Sequence, residues 1–219
     1  MKKVFALNGS PRPNGNSGIL LAAFIKGSEQ NDVELISYNA KDLNISGCTG
    51  CLRCNLIKRC SIRNDDWEKI SAEILASDVI VIASPVYFHH FPASVKSIID
   101  RFRSFIKVTI TEKSIEHIPW VNWEKDFVLL LPMGSSNSVD AKPIIELFEF
   151  MTEILGPANK LHVIIATRLG VSSQISFGKE KLVELYQKIQ LPINLAEEDH
   201  LKNQSILNEC FELGSQITK

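Results

Sequence analysis

Val79-Ile80-Val81-Ile82-Ala83 is an unbroken apolar run rich in β-branched residues, and it is one of a series. Short runs of similar character stand at Val4 to Leu7, Val33 to Ser37, Phe127 to Leu131 and Leu161 to Ala166. A strand that is apolar on both faces has to be covered on both faces, which is the condition of a parallel sheet between helical layers. The intervening segments satisfy it. Gly18 to Ile25, Trp67 to Leu75, Ala93 to Phe105 and Ile144 to Leu155 carry helical periodicity, and Lys179 to Ile189 follows the last run. Right-handed crossovers then predict a doubly wound α/β sandwich of five parallel strands with helices on both faces.

The 219 residues suffice for one domain with a continuous core. We assign residues 1–190 to that domain and residues 191–219 to a C-terminal extension that packs on it or at an oligomer interface. Residues 106–125, which include Trp120 and Trp123, make a long connection, and such connections in compact domains are usually functional or interfacial. A net charge of −1 offers no basic footprint for nucleic acid. The N-terminal apolar run is too short for a secretory signal, and no stretch reaches the length of a membrane span. The expectation is a cytoplasmic protein with no membrane and no nucleic-acid partner.

Three predicted loops leave the carboxyl ends of strands. The first, Asn8-Gly9-Ser10-Pro11-Arg12-Pro13-Asn14-Gly15-Asn16-Ser17, runs straight into a helix. Glycines permit close backbone approach, hydroxyl and amide groups donate hydrogen bonds, Arg12 adds a charge, and a helix N-terminus favours an anion. The same residues would also serve as a polar turn with a helix cap at Asn16 or Ser17. The loop lacks both G-x-G-x-x-G and the GK[ST] ending, so a monophosphate fits better than a dinucleotide or triphosphate. The second loop, Ser84-Pro85-Val86-Tyr87-Phe88-His89-His90-Phe91-Pro92, offers aromatic surface to a ring system or to a subunit interface. The third, Pro132-Met133-Gly134-Ser135-Ser136-Asn137, brings small donors to the same end of the sheet.

Together, G-S-P-R-P-N-G-N-S at 9–17, S-P-V-Y-F at 84–88 and S-V-K-S-I-I-D-R-F at 94–102 resemble the flavodoxin-like NAD(P)H-dependent FMN reductase family. The resemblance covers roughly residues 1 to 170. It implies a flavodoxin-like sheet of order 2-1-3-4-5 and FMN as cofactor. By position, Ser10, Arg12, Asn16 and Ser17 are expected to hold the phosphate. Pro85, Val86, Tyr87 and Phe88 are expected on the ring or ribityl chain, and Gly134 and Ser135 near the ring's polar edge. No side chain stands out as an acid or base, so no catalytic residue is named.

Four of the five cysteines, Cys48, Cys51, Cys54 and Cys60, are spaced C-x2-C-x2-C-x5-C. In a reducing compartment such crowding points to metal or redox chemistry more than to disulfides. Structural zinc usually takes two separated pairs, whereas a tight triple plus a fourth sulfur resembles a cubane wrap. Three readings stay open: a [4Fe-4S] cluster, zinc, or free thiols. The motif is similar to that of the iron–sulfur flavoproteins, a branch of the family whose cluster and flavin meet across subunits, which implies a homodimer or homotetramer. Following the second strand, the quartet is expected near the rim of the flavin site, with Lys58, Arg59 and Arg63 flanking it. The functional expectation is an FMN-dependent oxidoreductase drawing electrons from NAD(P)H or a ferredoxin-type donor. The rivals are a non-catalytic flavodoxin-like carrier and a metal or thiol sensor on the same scaffold.

Overall fold

The computed structural model describes residues Met1–Lys219. Along the chain the strands are β1 (Lys2–Asn8), β2 (Val33–Asn39), β3 (Val79–Ala83), β4 (Ile106–Ile110), β5 (Ile115–Pro119), β6 (Asp126–Pro132) and β7 (Lys160–Ala166). The helices are α1 (Asn16–Ser28), α2 (Cys54–Ile57), α3 (Trp67–Ala76), α4 (Ala93–Arg101), α5 (Lys142–Leu155), α6 (Lys179–Lys188) and α7 (Leu195–Ile217). Five strands pair in parallel in the order β2-β1-β3-β6-β7, which is the anticipated flavodoxin order 2-1-3-4-5 counted over the parallel strands alone.

Side chains alternate across each strand, and both sets are buried. Phe5, Leu7, Ile80, Ile82, Leu129 and Leu131 join a core with Ile70 and Ile74 of α3, Ile98 of α4 and Phe148 of α5. Val4, Ala6, Val81, Ala83, Val128 and Leu130 face Leu20 and Phe24 of α1 and Ile206 and Cys210 of α7. Cys210 is therefore a packing residue, and burial pushes its thiol up to about 12.

Residues 106–125 are not an irregular connection. They hold the antiparallel hairpin β4–β5, whose register sets Ile106 opposite Pro119 and Ile110 opposite Ile115. The helix predicted over Ala93 to Phe105 stops at Arg101 and tightens into a 3₁₀ turn over Phe102–Phe105 before entering β4. The C-terminal segment is also more than an appendage. The first helix after β7, α6, buries Leu182 and Tyr186 in a small cluster of its own, and α7 covers the sheet instead. Two glycines let α7 lie against α1. A Cβ on Gly27 would stand 1.9 Å from the Phe211 carbonyl oxygen, and one on Gly214 would stand 2.1 Å from that of Phe24.

Candidate functional site

A cleft of about 560 Å³ opens at the carboxyl ends of β1, β3, β6 and β7. Its walls are Ser10, Arg12, Gly15, Asn16 and Ser17, then Pro85, Val86 and Tyr87, then Pro132, Met133 and Gly134, and finally Leu169 and Gly170. Eight sequence-predicted residues are thereby brought together: Ser10, Arg12, Asn16, Ser17, Pro85, Val86, Tyr87 and Gly134. Phe88 and Ser135 stand outside the lining. Phe88 is wholly exposed, and the Ser135 hydroxyl accepts the Asn137 N–H.

The floor of the cleft is the start of α1. Gly15 occupies the cap position with no side-chain cap, so neither Asn16 nor Ser17 acts as the ordinary cap their identities allow. The N–H groups of Gly18 and Ile19 are satisfied by the Gly15 carbonyl, while those of Asn16 and Ser17 take no partner within the chain. Two open donors at the positive end of a helix form an anion site. Gly15 is required there, because a Cβ would lie 2.1 Å from the Ser10 Oγ.

Asn16 plays a different part from the side-chain ligand expected of it. Its Nδ2 donates to the carbonyls of Leu169 at 3.3 Å and Val171 at 2.9 Å, and its Oδ1 accepts from the Ile175 N–H at 3.1 Å. Its amide is spent on a fourth loop, leaving its backbone N–H for the cleft. Arg12 is likewise tied to that loop, through Nη1 to the Gly170 carbonyl at 2.9 Å. Leu169 and Gly170 were not singled out from sequence. The signal was available: they follow the last strand of the sheet, so their loop leaves the same edge as the other three.

The histidines of the second loop line no part of the cleft. His90 Nδ1 accepts the Phe91 N–H, and burial lowers its pKa; His89 is exposed, 4.0 Å from Asp140. Phe88 and His89 hold φ of 48° and 61° in a two-residue turn closed by reciprocal Tyr87–His90 hydrogen bonds of 2.7 and 2.9 Å. Both central positions of such a turn ordinarily go to glycine or asparagine.

All four clustered cysteines line a second pocket, of about 360 Å³, with Arg101, Arg103 and Ser104. No three His, Cys, Asp or Glu side chains in the structure form a set able to hold a metal ion, so the sulfurs surround a space and do not converge on a point. The pocket shares no lining residue with the first cleft. The quartet thus has a lining of its own. The loop does leave the carboxyl edge, but its two ends are drawn together and anchored further along α4. Asn44 and Asp66 exchange hydrogen bonds, Asp65 accepts the Ser46 N–H, and Arg101 bonds both the Ser46 carbonyl and Asp65 at 2.7 Å.

The cations that flank the cysteines in sequence have other partners, and a different one comes within hydrogen-bond reach of a sulfur. Arg59 and Arg63 pair with Glu68, and Lys58 lies over the Trp120 ring. Arg103 Nη1 instead approaches the Cys54 Sγ at 3.5 Å, while its Nη2 donates to Asn55. Burial raises the Cys54 thiol pKa, whereas a hydrogen bond from Ser61 brings exposed Cys51 down to about 7.

An iron–sulfur flavoprotein of Archaeoglobus fulgidus is 34% identical over 99 residues, covering 45% of this chain and 44% of that protein. One of Methanocaldococcus jannaschii is 33% identical over 101 residues, covering 46% and 52%. The chain thus spans about half the length of the curated relatives it matches. Among solved structures, an azoreductase from Bacillus anthracis superposes with a TM-score of 0.66 at 15% identity, over 99% of this chain and 100% of that one. An NAD(P)H:quinone oxidoreductase from Methanothermobacter marburgensis gives 0.67 at 14%, over 99% and 98%. At those identities the likeness is one of fold. No helix is long and apolar enough to cross a membrane. Residues 2–117, more than half of the chain, match the NADPH-dependent FMN reductase family, and the protein belongs to it.

Proposed function

We propose that this protein is an FMN-dependent oxidoreductase that moves electrons from NAD(P)H or a ferredoxin-type donor to an acceptor. The observation that carries the reading is the uncapped N-terminus of α1, whose two unpartnered N–H groups open into a strand-end cleft where Gly15 leaves no space for a side chain. The donor set suits a phosphomonoester. The Asn16 and Ser17 N–H groups, the hydroxyls of Ser10 and Ser17 and the Arg12 guanidinium hold the phosphate. Pro85, Val86 and Tyr87 supply the flat wall for the ring system, with Phe88 at its outer end, and Gly134 and Ser135 serve the polar edge. FMN, when bound, exchanges hydride with a nicotinamide and electrons with an acceptor, chemistry that belongs to the cofactor and not to a side chain. The chain's part is to bind, orient and shield it.

Cys48, Cys51, Cys54 and Cys60 are proposed to hold a [4Fe-4S] cluster. All four thiols line one pocket, and a tight triple plus a fourth sulfur suits a polynuclear group better than the two separated pairs usual for structural zinc. Arg101 and Arg103 in the same lining suit its negative charge. Five free cysteines fit a reducing, cytoplasmic compartment. Exposed Ile110, Ile115 and Ile118 on the hairpin and Phe150 on α5 provide apolar surface for assembly as a homodimer or homotetramer.

Anaerobic purification followed by a visible spectrum, flavin, iron and sulfide analysis, and turnover with NADH and NADPH tests the proposal. Stoichiometric FMN with four iron atoms per chain is the expected result. Flavin without iron removes the cluster alone. Protein that neither contains nor takes up FMN removes the whole reading, and FMN without turnover on any small-molecule acceptor leaves a carrier.

A further inference from the structure

The loop that closes the cleft after β7 depends on a residue far from it in sequence. Arg168 sits at its first bend with φ of 60°, a left-handed conformation that costs a non-glycine residue free energy unless its surroundings impose it. The bend turns the chain so that Leu169 and Gly170 face the cleft and their carbonyls meet Asn16 and Arg12. On its backbone, Arg168 donates to the Ser135 carbonyl and accepts from the Gln174 amide, tying the third loop to the fourth.

Its side chain reaches the other way, into α7. The guanidinium grips the buried carboxylate of Asp199 with Nε at 2.9 and 2.8 Å and Nη2 at 2.5 Å. Tyr186 of α6 and Lys202 of α7 donate to the same carboxylate at 2.5 Å each. Burial alone pushes the Asp199 pKa upward, but the bonds from Arg168, Lys202 and Tyr186 outweigh it and hold the group ionised. Asp199 does not line the cleft; it reaches the loop through Arg168 and, beside it, through Lys202, which also donates to the Thr167 carbonyl at 3.1 Å.

We infer that Asp199 is a positioning residue of the cofactor site. By fixing Arg168 in its left-handed bend, it places the Leu169–Gly170 wall against which Arg12 and Asn16 are oriented. The C-terminal helix is thus part of the site's construction, although it lies outside the segment that matches the family. The inference rests on the flavin reading of the cleft. The α1–α7 contact at Gly27 and Gly214 is independent of it, so α7 stays docked when Asp199 is altered.

The test is FMN binding by fluorescence quenching on the full chain, with the melting temperature of the flavin-free protein measured alongside. Asp199→Asn is expected to weaken FMN about tenfold to 100-fold, the scale of a misplaced binding group. Arg168→Gly reaches the left-handed bend without strain but gives up the grip that holds it there, so it weakens FMN by no more than Asp199→Asn does, and adding Asp199→Asn to it changes nothing further. Equal losses in both backgrounds would mean that Asp199 acts by general stability and would overturn the inference, as would wild-type affinity in Asp199→Asn. Should Asp199→Asn not fold, Arg168→Lys keeps the charge but loses the fork. It must weaken FMN at an unchanged flavin-free melting temperature, and wild-type affinity there also overturns the inference. Wild-type protein that binds no FMN removes the site reading itself and the inference with it.

Discussion

The strand-end cleft and the cysteine pocket are built by opposite routes. The cleft draws its walls from four loops spread between Ser10 and Gly170, brought together only because parallel strands end side by side. The pocket draws all its sulfurs from one loop, closed at its base by Asp65 and Ser46 and seated on the far end of α4. One site is a product of topology, the other of local spacing plus an anchor. They share no residue, so each should be removable without the other.

The largest effect tests that independence from the cysteine side. Cys54 is the buried member of the quartet and the one that Arg103 approaches. Cys54→Ala is expected to abolish iron retention while the flavin-to-protein ratio stays at the wild-type value. Loss of flavin together with iron, measured on the same preparation, would show that the two sites are coupled within the chain.

Next in size is the anchor. Asp65 and Arg101 are an ion pair buried on both sides, and Arg101 also lies over the Trp67 ring at 5.3 Å. Asp65→Asn leaves a buried guanidinium without its counter-charge, which costs about 3–5 kcal/mol; urea denaturation measures it. The pH dependence follows. Burial raises the Asp65 pKa, but hydrogen bonds from Arg101 and Ser46 more than reverse this, so the folded value lies below the ordinary 3.8. A depressed carboxylate stabilises the fold above its unfolded pKa and loses that contribution as the pH falls through the folded value. Wild-type stability should therefore drop below about pH 4, and the drop should be shallower in Asp65→Asn. Identical acid limbs would show that the anchor carries no such stability.

From the cleft side, Gly15→Val places branched carbon where even a Cβ meets Ser10. We expect about a 100-fold loss of FMN affinity, the result of misplacing the phosphate donors, with iron content unchanged. Affinity within threefold of wild type would move the phosphate away from the start of α1.

The contrast also explains what could be read from the residues. Strands such as Val79–Ala83 announce themselves because burial on both faces leaves a continuous apolar run. The three loops follow because the sheet's direction puts them at one edge. Sequence gives no sign that Asn16 spends its amide on Leu169 and Val171, because that contact joins residues more than 150 apart. The cysteine spacing was legible, but the place of the pocket was not: it depends on Arg101, whose burial against Asp65 belongs to tertiary packing. The hairpin β4–β5 was missed for a local reason. Its strands mix Lys107, Thr109, Glu116 and His117 with isoleucines, and its exposed faces give little apolar signal.

The smallest effect separates strain from stability within the cleft's own walls. Phe88 and His89 hold left-handed conformations that neither residue favours, at the outer end of the segment that presents Pro85, Val86 and Tyr87. Such strain costs about 1 kcal/mol or more for each residue. His89→Gly keeps the exposed Phe88 and removes part of that cost, so the melting temperature is expected to rise by about 2–4 °C. FMN affinity should move the other way, by about threefold, because glycine lets the loop sample more conformations before the cofactor fixes one. A variant that melts higher yet binds FMN less well locates the strain in the site's preorganisation. One that melts lower shows that the turn is stabilised by its own contacts, and that the cleft, like the cysteine pocket, is held by a local anchor as well as by topology.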